Sequence, residues 1–200
     1  MRLTGLQKIL WAAAGLATLA WLGWIMPQTN TKSDVAVDET AAFRPEFALA
    51  DASGQIRTNT DFSGKFLLVF FGFTNCPDVC PMTLSEVASV MNDLGPDAAR
   101  VQPLFISVDP ERDRKLGLAE FTGAFHPSII GLAGTDAATR AAAQSFKIFY
   151  ERDTDDAAPD GYTMSHSPAL YLVGPGGDWL RLFDYGTPAT DILADLRSRL

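Results

Sequence analysis

The stretch FLLVFFGFTNCPDVCP, Phe66 to Pro81, begins as a strand and ends as a helix, and the turn between them carries both cysteines of the chain. Its first eight residues form an unbroken apolar run, the pattern of a central strand buried on both faces. After Pro81, which a first helical turn tolerates, Leu84, Val87, Ala88 and Met91 recur at helical spacing until Gly95-Pro96 stops them. Cys76 and Cys80 therefore lie at a strand-to-helix turn. There, unpaired backbone N–H groups and the positive end of the helix dipole stabilise a thiolate.

Working outward, strand and helix signals alternate. Phe47–Ala50 and Gln55–Thr58 flank Asp51-Ala-Ser-Gly54 as a hairpin, and Val101–Val108 reads as a second buried strand. Helices are expected over Lys115–Phe125 and Asp136–Phe146, separated by the short apolar run Ile129–Leu132. Two further strands, Ala169–Val173 and Trp179–Asp184, are joined by Gly174-Pro-Gly-Gly177, and a last helix starts near Pro188. A hairpin, a βαβ unit, a helix, an antiparallel hairpin and a closing helix make an α/β sandwich of the thioredoxin type, expected over residues 43–200.

Ahead of that domain, Ile9 to Met26 runs 18 residues without a charge, roughly 27 Å as a helix, close to the thickness of a bilayer core. Arg2 and Lys8 precede it and the first acid is Asp34, so a single transmembrane helix over 9–26 is expected, with a cytoplasmic stub at 1–8 and the rest exported. A cleaved signal peptide has a shorter apolar region ending at a small-x-small site, whereas Ala17 and Ala20 are followed by more apolar sequence. Residues 27–42 are polar, small and aperiodic and read as a tether. The expected location is the inner membrane, with the soluble domain in the periplasm or an equivalent exported compartment.

With 47% hydrophobic and 20% charged residues and a mean hydropathy of +0.06, the chain is neither disordered nor polytopic. The part beyond Met26 holds all 24 acidic and 14 basic residues, a net charge of −10, which disfavours nucleic-acid binding. Two cysteines and two histidines exclude a disulfide-dense scaffold, and a closed four-ligand zinc site would need all four of them or help from carboxylates. Spacing alone leaves three readings of Cys76 and Cys80 open: an inert disulfide, a redox pair, or a site for a thiophilic ion such as Cu(I). A third ligand would decide, and His166, in a loop just before the strand at Ala169, is the candidate. His126, in Phe-His-Pro at a helix end, reads as structural. Met164 would share the face of His166 in an extended segment, Asp78 sits between the cysteines, and Asp109 with Glu111–Asp113 either borders the site or caps the next helix.

The run Gly72 to Leu84 (GFTNCPDVCPMTL), the later SVDPERD from Ser107 to Asp113, and His166-Ser167 followed by Tyr171-Leu-Val-Gly-Pro175 resemble the Sco/SenC family of copper chaperones. That resemblance implies a thioredoxin-like fold and copper, as Cu(I) or Cu(II), held by Cys76, Cys80 and His166. It implies delivery to the copper A centre of cytochrome c oxidase subunit II, with another periplasmic copper protein as donor. The main alternative it implies is a thiol-disulfide reductase acting on the cysteines of that subunit; a peroxidase using Cys76 is a third class. Two positions depart from the family pattern: Ser165 stands where Asp is expected, and Arg114 where Thr is. Ser165 leaves His166 without a neighbouring carboxylate to set its tautomer.

Overall fold

The computed structural model describes residues 43–158 and 160–200, together with Thr4, Gly5, Gln7, Trp11 and Trp21. Apart from Trp11 and Trp21, the segment 9–26 expected to cross a membrane lies outside the described residues, as does the tether at 27–42. Among the described residues no helix is long and apolar enough to span a bilayer.

At the centre are β3 (Phe66–Gly72) and β4 (Val101–Ser107), every residue of which is buried. They pair in parallel, with Phe70 opposite Phe105, and β5 (Ile130–Leu132) extends the parallel edge. On the other side β8 (Leu170–Val173) and β9 (Trp179–Phe183) add antiparallel strands, giving the order β5-β4-β3-β8-β9. The hairpin β1 (Ala48–Ala50) and β2 (Ile56–Thr58) forms at its expected turn.

Because successive side chains of a strand face opposite ways, Phe70 and Phe71 anchor different layers. Phe70 meets Phe105, which meets Phe121 of α3 (Leu118–Phe125), on the face shared with α1 (Val79–Leu94) and α5 (Ala189–Arg197). Phe71 meets Phe146 of α4 (Asp136–Phe146) on the opposite face, and Tyr171 closes that aromatic group. Each such fully buried aromatic contributes about 1.5–3 kcal/mol by leaving water. The result is the expected thioredoxin-like sandwich.

Two expectations are corrected. The helix expected over Lys115–Phe125 is two helices, α2 (Pro110–Leu116) and α3, broken at Gly117, whose φ of +81° ends one helix and redirects the chain into the next. Pro110 opens α2 at its first position, where its missing N–H costs nothing. Secondly, His166 lies not in a loop but at the end of a strand. An unforeseen antiparallel ribbon, β6 (Tyr150–Thr154) with β7 (Tyr162–His166), pairs Tyr150 with His166 and Thr154 with Tyr162.

Candidate metal centre

Cys76 is held in the turn after β3 by its N–H bond to the Phe73 carbonyl, at 3.2 Å. Four residues on, Cys80 is already inside the first turn of α1, and its N–H points back at Cys76 Sγ, 3.4 Å away. The loop between is fixed from outside. Thr74 donates both its N–H (3.0 Å) and its hydroxyl (2.8 Å) to Asp113 of α2, whose other carboxylate oxygen accepts from Ser107 Oγ at 2.6 Å.

The third group arrives from far along the chain. Tyr162, Met164 and His166 share the inward face of β7, and His166 Nε2 lies 3.7 Å from Cys80 Sγ, 86 residues away in sequence. Phe70 and Phe73 present their rings edgewise to the imidazole at 5.8 and 5.9 Å, fixing its plane. His166 Nδ1 is 3.1 Å from the Ser167 carbonyl, which can only accept, so the proton of the neutral ring sits on Nδ1 and Nε2 is left open toward the sulfurs. A backbone carbonyl thus sets the tautomer, with no carboxylate needed at position 165. Ser165 faces outward and donates to Asp153.

The ligand atoms of Cys76, Cys80 and His166 all lie within 4.8 Å of one another, the one such group of three or more metal-binding side chains among the described residues. Both cysteines are free thiols, Cys80 fully buried and Cys76 half-buried. Their acidities are driven apart. The Cys80 thiol donates to Cys76, and with further help from the N–H groups of Cys80 and Asp78 holds the Cys76 pKa down at about 4 against desolvation. The same contact, with burial, pushes Cys80 far up, so that the reduced pair shares one proton. Two soft sulfurs and one imidazole suit Cu(I), which accepts low coordination.

Gly72 makes this approach possible. A Cβ at Gly72 would stand 2.8 Å from Cys80 Sγ and 2.9 Å from the Phe105 ring, a requirement that appears only when strand and helix are packed. Gly72→Ala is expected to cost about 1–3 kcal/mol in stability by overpacking. It should also weaken metal binding about 10–100-fold, as when a ligand loses its support. Thermal melts and metal competition on the same preparation check both.

The remaining candidates fall away from the ligand set. His126 follows α3 and engages Ser128, as a structural residue. Met164 is buried in the ribbon, Asp78 precedes α1 without a side-chain cap, and Asp109 precedes α2 likewise. Asp109 instead pairs with Arg112, a use that sequence pattern did not reveal.

Residues 35–200 match the family model described as SCO1/SenC. The chain belongs to this family. Among SCO1/SenC relatives, the mouse mitochondrial SCO2 homolog is 35% identical over 167 residues, 82% of this chain and 65% of its own length, so the chain spans less than two thirds of that protein. Bradyrhizobium japonicum ScoI, solved with copper bound, superposes with a TM-score of 0.71 at 35% identity, covering 80% of this chain and all of that one. BsSco, described as a member of the Sco family of cytochrome c oxidase assembly proteins with a disulfide switch, superposes at 0.61 with 26% identity over 79% of this chain and 94% of its own. Family members thus hold copper, and the two thiols and imidazole brought together here are a donor set fit for it.

Proposed function

We propose that this chain is a membrane-anchored copper chaperone that serves cytochrome c oxidase assembly. Copper is its cargo, bound by Cys76 Sγ, Cys80 Sγ and His166 Nε2 and passed to the copper A centre of subunit II, after loading from another exported copper protein. The domain organisation that fits this role is a stub at 1–8, an anchor at 9–26, a tether at 27–42 and a copper-binding domain at 43–200, with that domain in the periplasm or its equivalent. The observation that carries the reading is the convergence of one strand-to-helix turn and one distant ribbon on a single S₂N group.

Transfer by ligand exchange needs a donor that releases its ligands one at a time. His166 stands at the end of a ribbon and Cys76 is half-buried, so an incoming ligand meets these first, while buried Cys80 holds the ion to the end. Oxidation to a Cys76–Cys80 disulfide removes both thiolates and empties the site; two-electron reduction restores it.

Titration of the reduced protein with Cu(I) is expected to reach one equivalent, and His166→Ala to remove the nitrogen signature from the Cu(II) spectrum. No stoichiometric uptake, or an unaltered Cu(II) spectrum in His166→Ala, refutes the proposal. The reductase alternative needs both cysteines but not His166, so loss of oxidase maturation in His166→Ala separates the two.

A further inference from the structure

We infer that the first turn of α2 is a hub that sets the distance between His166 and the cysteines, with Asp109, Arg112 and Tyr162 acting as positioning residues for the histidine. The copper consequence rests on the reading above; the structural core does not.

The ribbon β6–β7 is exposed along most of β6; Met164 is its one buried residue, and Tyr150 and Tyr162 pack partly buried against the core. The rest of what holds it is polar. Asp109 and Arg112 are 2% and 6% exposed, and Arg112 Nε lies 2.7 Å from the Asp109 carboxylate. Tyr162, four residues before His166 on the same face, donates its hydroxyl to Asp109 at 2.9 Å, and its carbonyl accepts from Arg112 Nη1 at 3.3 Å. Two guanidinium groups lie over its ring, Arg112 at 4.2 Å and Arg152 of β6 at 4.1 Å from the centroid.

Arg112 also reaches the site directly. Its guanidinium lies 5.7 Å from the centroid of Phe73, the ring that meets His166 edge-on. Arg112 Nε and Nη2 are buried with no hydrogen-bond partner, the 2.7 Å contact of Nε with Asp109 being an ion pair, so the stacked rings take over part of the work of holding the guanidinium. A buried ion pair is a poor source of stability compared with an apolar replacement, but it fixes geometry. One residue further, Asp113 ties down Thr74 in the cysteine loop. Three residues of one short stretch, Asp109, Arg112 and Asp113, thereby grip both halves of an otherwise discontinuous site.

The test uses the full chain in detergent, reduced, with Arg112→Met and Tyr162→Phe made alone and in His166→Ala. Amide hydrogen exchange at Thr163–His166 in the copper-free protein is expected to accelerate at least about tenfold in Tyr162→Phe, for loss of one hydrogen bond of about 1.5 kcal/mol or more to a charged group. Chelator competition is expected to show Cu(II) affinity falling about 10–100-fold in both variants, with nitrogen hyperfine features approaching those of His166→Ala. In the His166→Ala background neither change should alter affinity further. Arg112→Met leaves the buried Asp109 carboxylate with only the Tyr162 hydroxyl and Arg152 at 3.8 Å; if that variant does not fold, Tyr162→Phe, which deletes one oxygen, decides alone. Unchanged exchange, undiminished affinity, or equal loss in both backgrounds overturns the inference. A wild-type chain that binds no copper refutes the copper reading instead and leaves exchange to judge the hub.

Discussion

Cys80→Ser is expected to abolish high-affinity Cu(I) binding, lowering affinity by a factor of at least about 100. The scale follows from closed four-ligand zinc sites, worth about 10–16 kcal/mol in all, or roughly 3 kcal/mol per ligand. Position 80 should exceed that average. Its sulfur is fully buried, so the serine hydroxyl replaces a soft donor by a hard, neutral one in a place water cannot reach to complete the coordination. His166→Ala should cost less toward Cu(I), because two thiolates still offer a two-coordinate site, and more toward Cu(II), which favours imidazole. Competition with a chromophoric Cu(I) chelator measures the difference. Equal affinities for Cys80→Ser and wild type would remove Cys80 from the ligand set, and a larger Cu(I) loss in His166→Ala would reverse the proposed order of release.

The parts of this molecule that were legible in its sequence are those where local pattern and burial agree. The run Phe66–Phe73 is apolar at every position because β3 is covered on both faces, and Asp136–Phe146 has a Thr135 cap and one apolar face, so α4 appears where its spacing predicts. The ribbon was illegible for the opposite reason. Tyr150-Glu-Arg-Asp-Thr154 shows no alternation of apolar residues, since beyond Tyr150 its hold comes from the ion pair and stacked guanidinium of Arg152 rather than from apolar side chains. Gly72 and the hub residues are invisible to periodicity because their roles are distances between elements. His166 was singled out by its place just before the strand at Ala169 and then by a family resemblance; only the packed ribbon brings it to the cysteines.

The second large effect is on cysteine reactivity. With its pKa held down at about 4, Cys76 in the reduced, copper-free protein is a thiolate throughout the physiological range, while Cys80 stays protonated. Alkylation by iodoacetamide, read by peptide mass spectrometry, should therefore modify Cys76 at a rate nearly flat from pH 6 to 8, where an ordinary thiol of pKa about 8.5 accelerates almost tenfold per pH unit. Cys80 should remain unmodified until the protein unfolds. A rate at Cys76 that climbs through pH 8, or modification of Cys80 first, contradicts this assignment.

The same asymmetry has a sign for stability and for redox poise. Between about pH 4 and 9 the unfolded chain carries a proton on residue 76 that the folded chain has lost, so the reduced protein gains stability as pH rises across this window and loses it as pH falls through 4. Cys80 acts oppositely: its folded pKa is raised, so its contribution is complete below about 9 and declines above it. Cys76→Ser should flatten the rise on the acid side. A stabilised thiolate also stabilises the reduced pair relative to its disulfide, as in strongly oxidising thiol proteins. A protein whose task is to reduce a partner's disulfide is poorly served by that bias. One that must keep two sulfurs ready for a metal in an oxidising compartment benefits from it, and the depressed pKa of Cys76 thus weighs for the chaperone over the reductase.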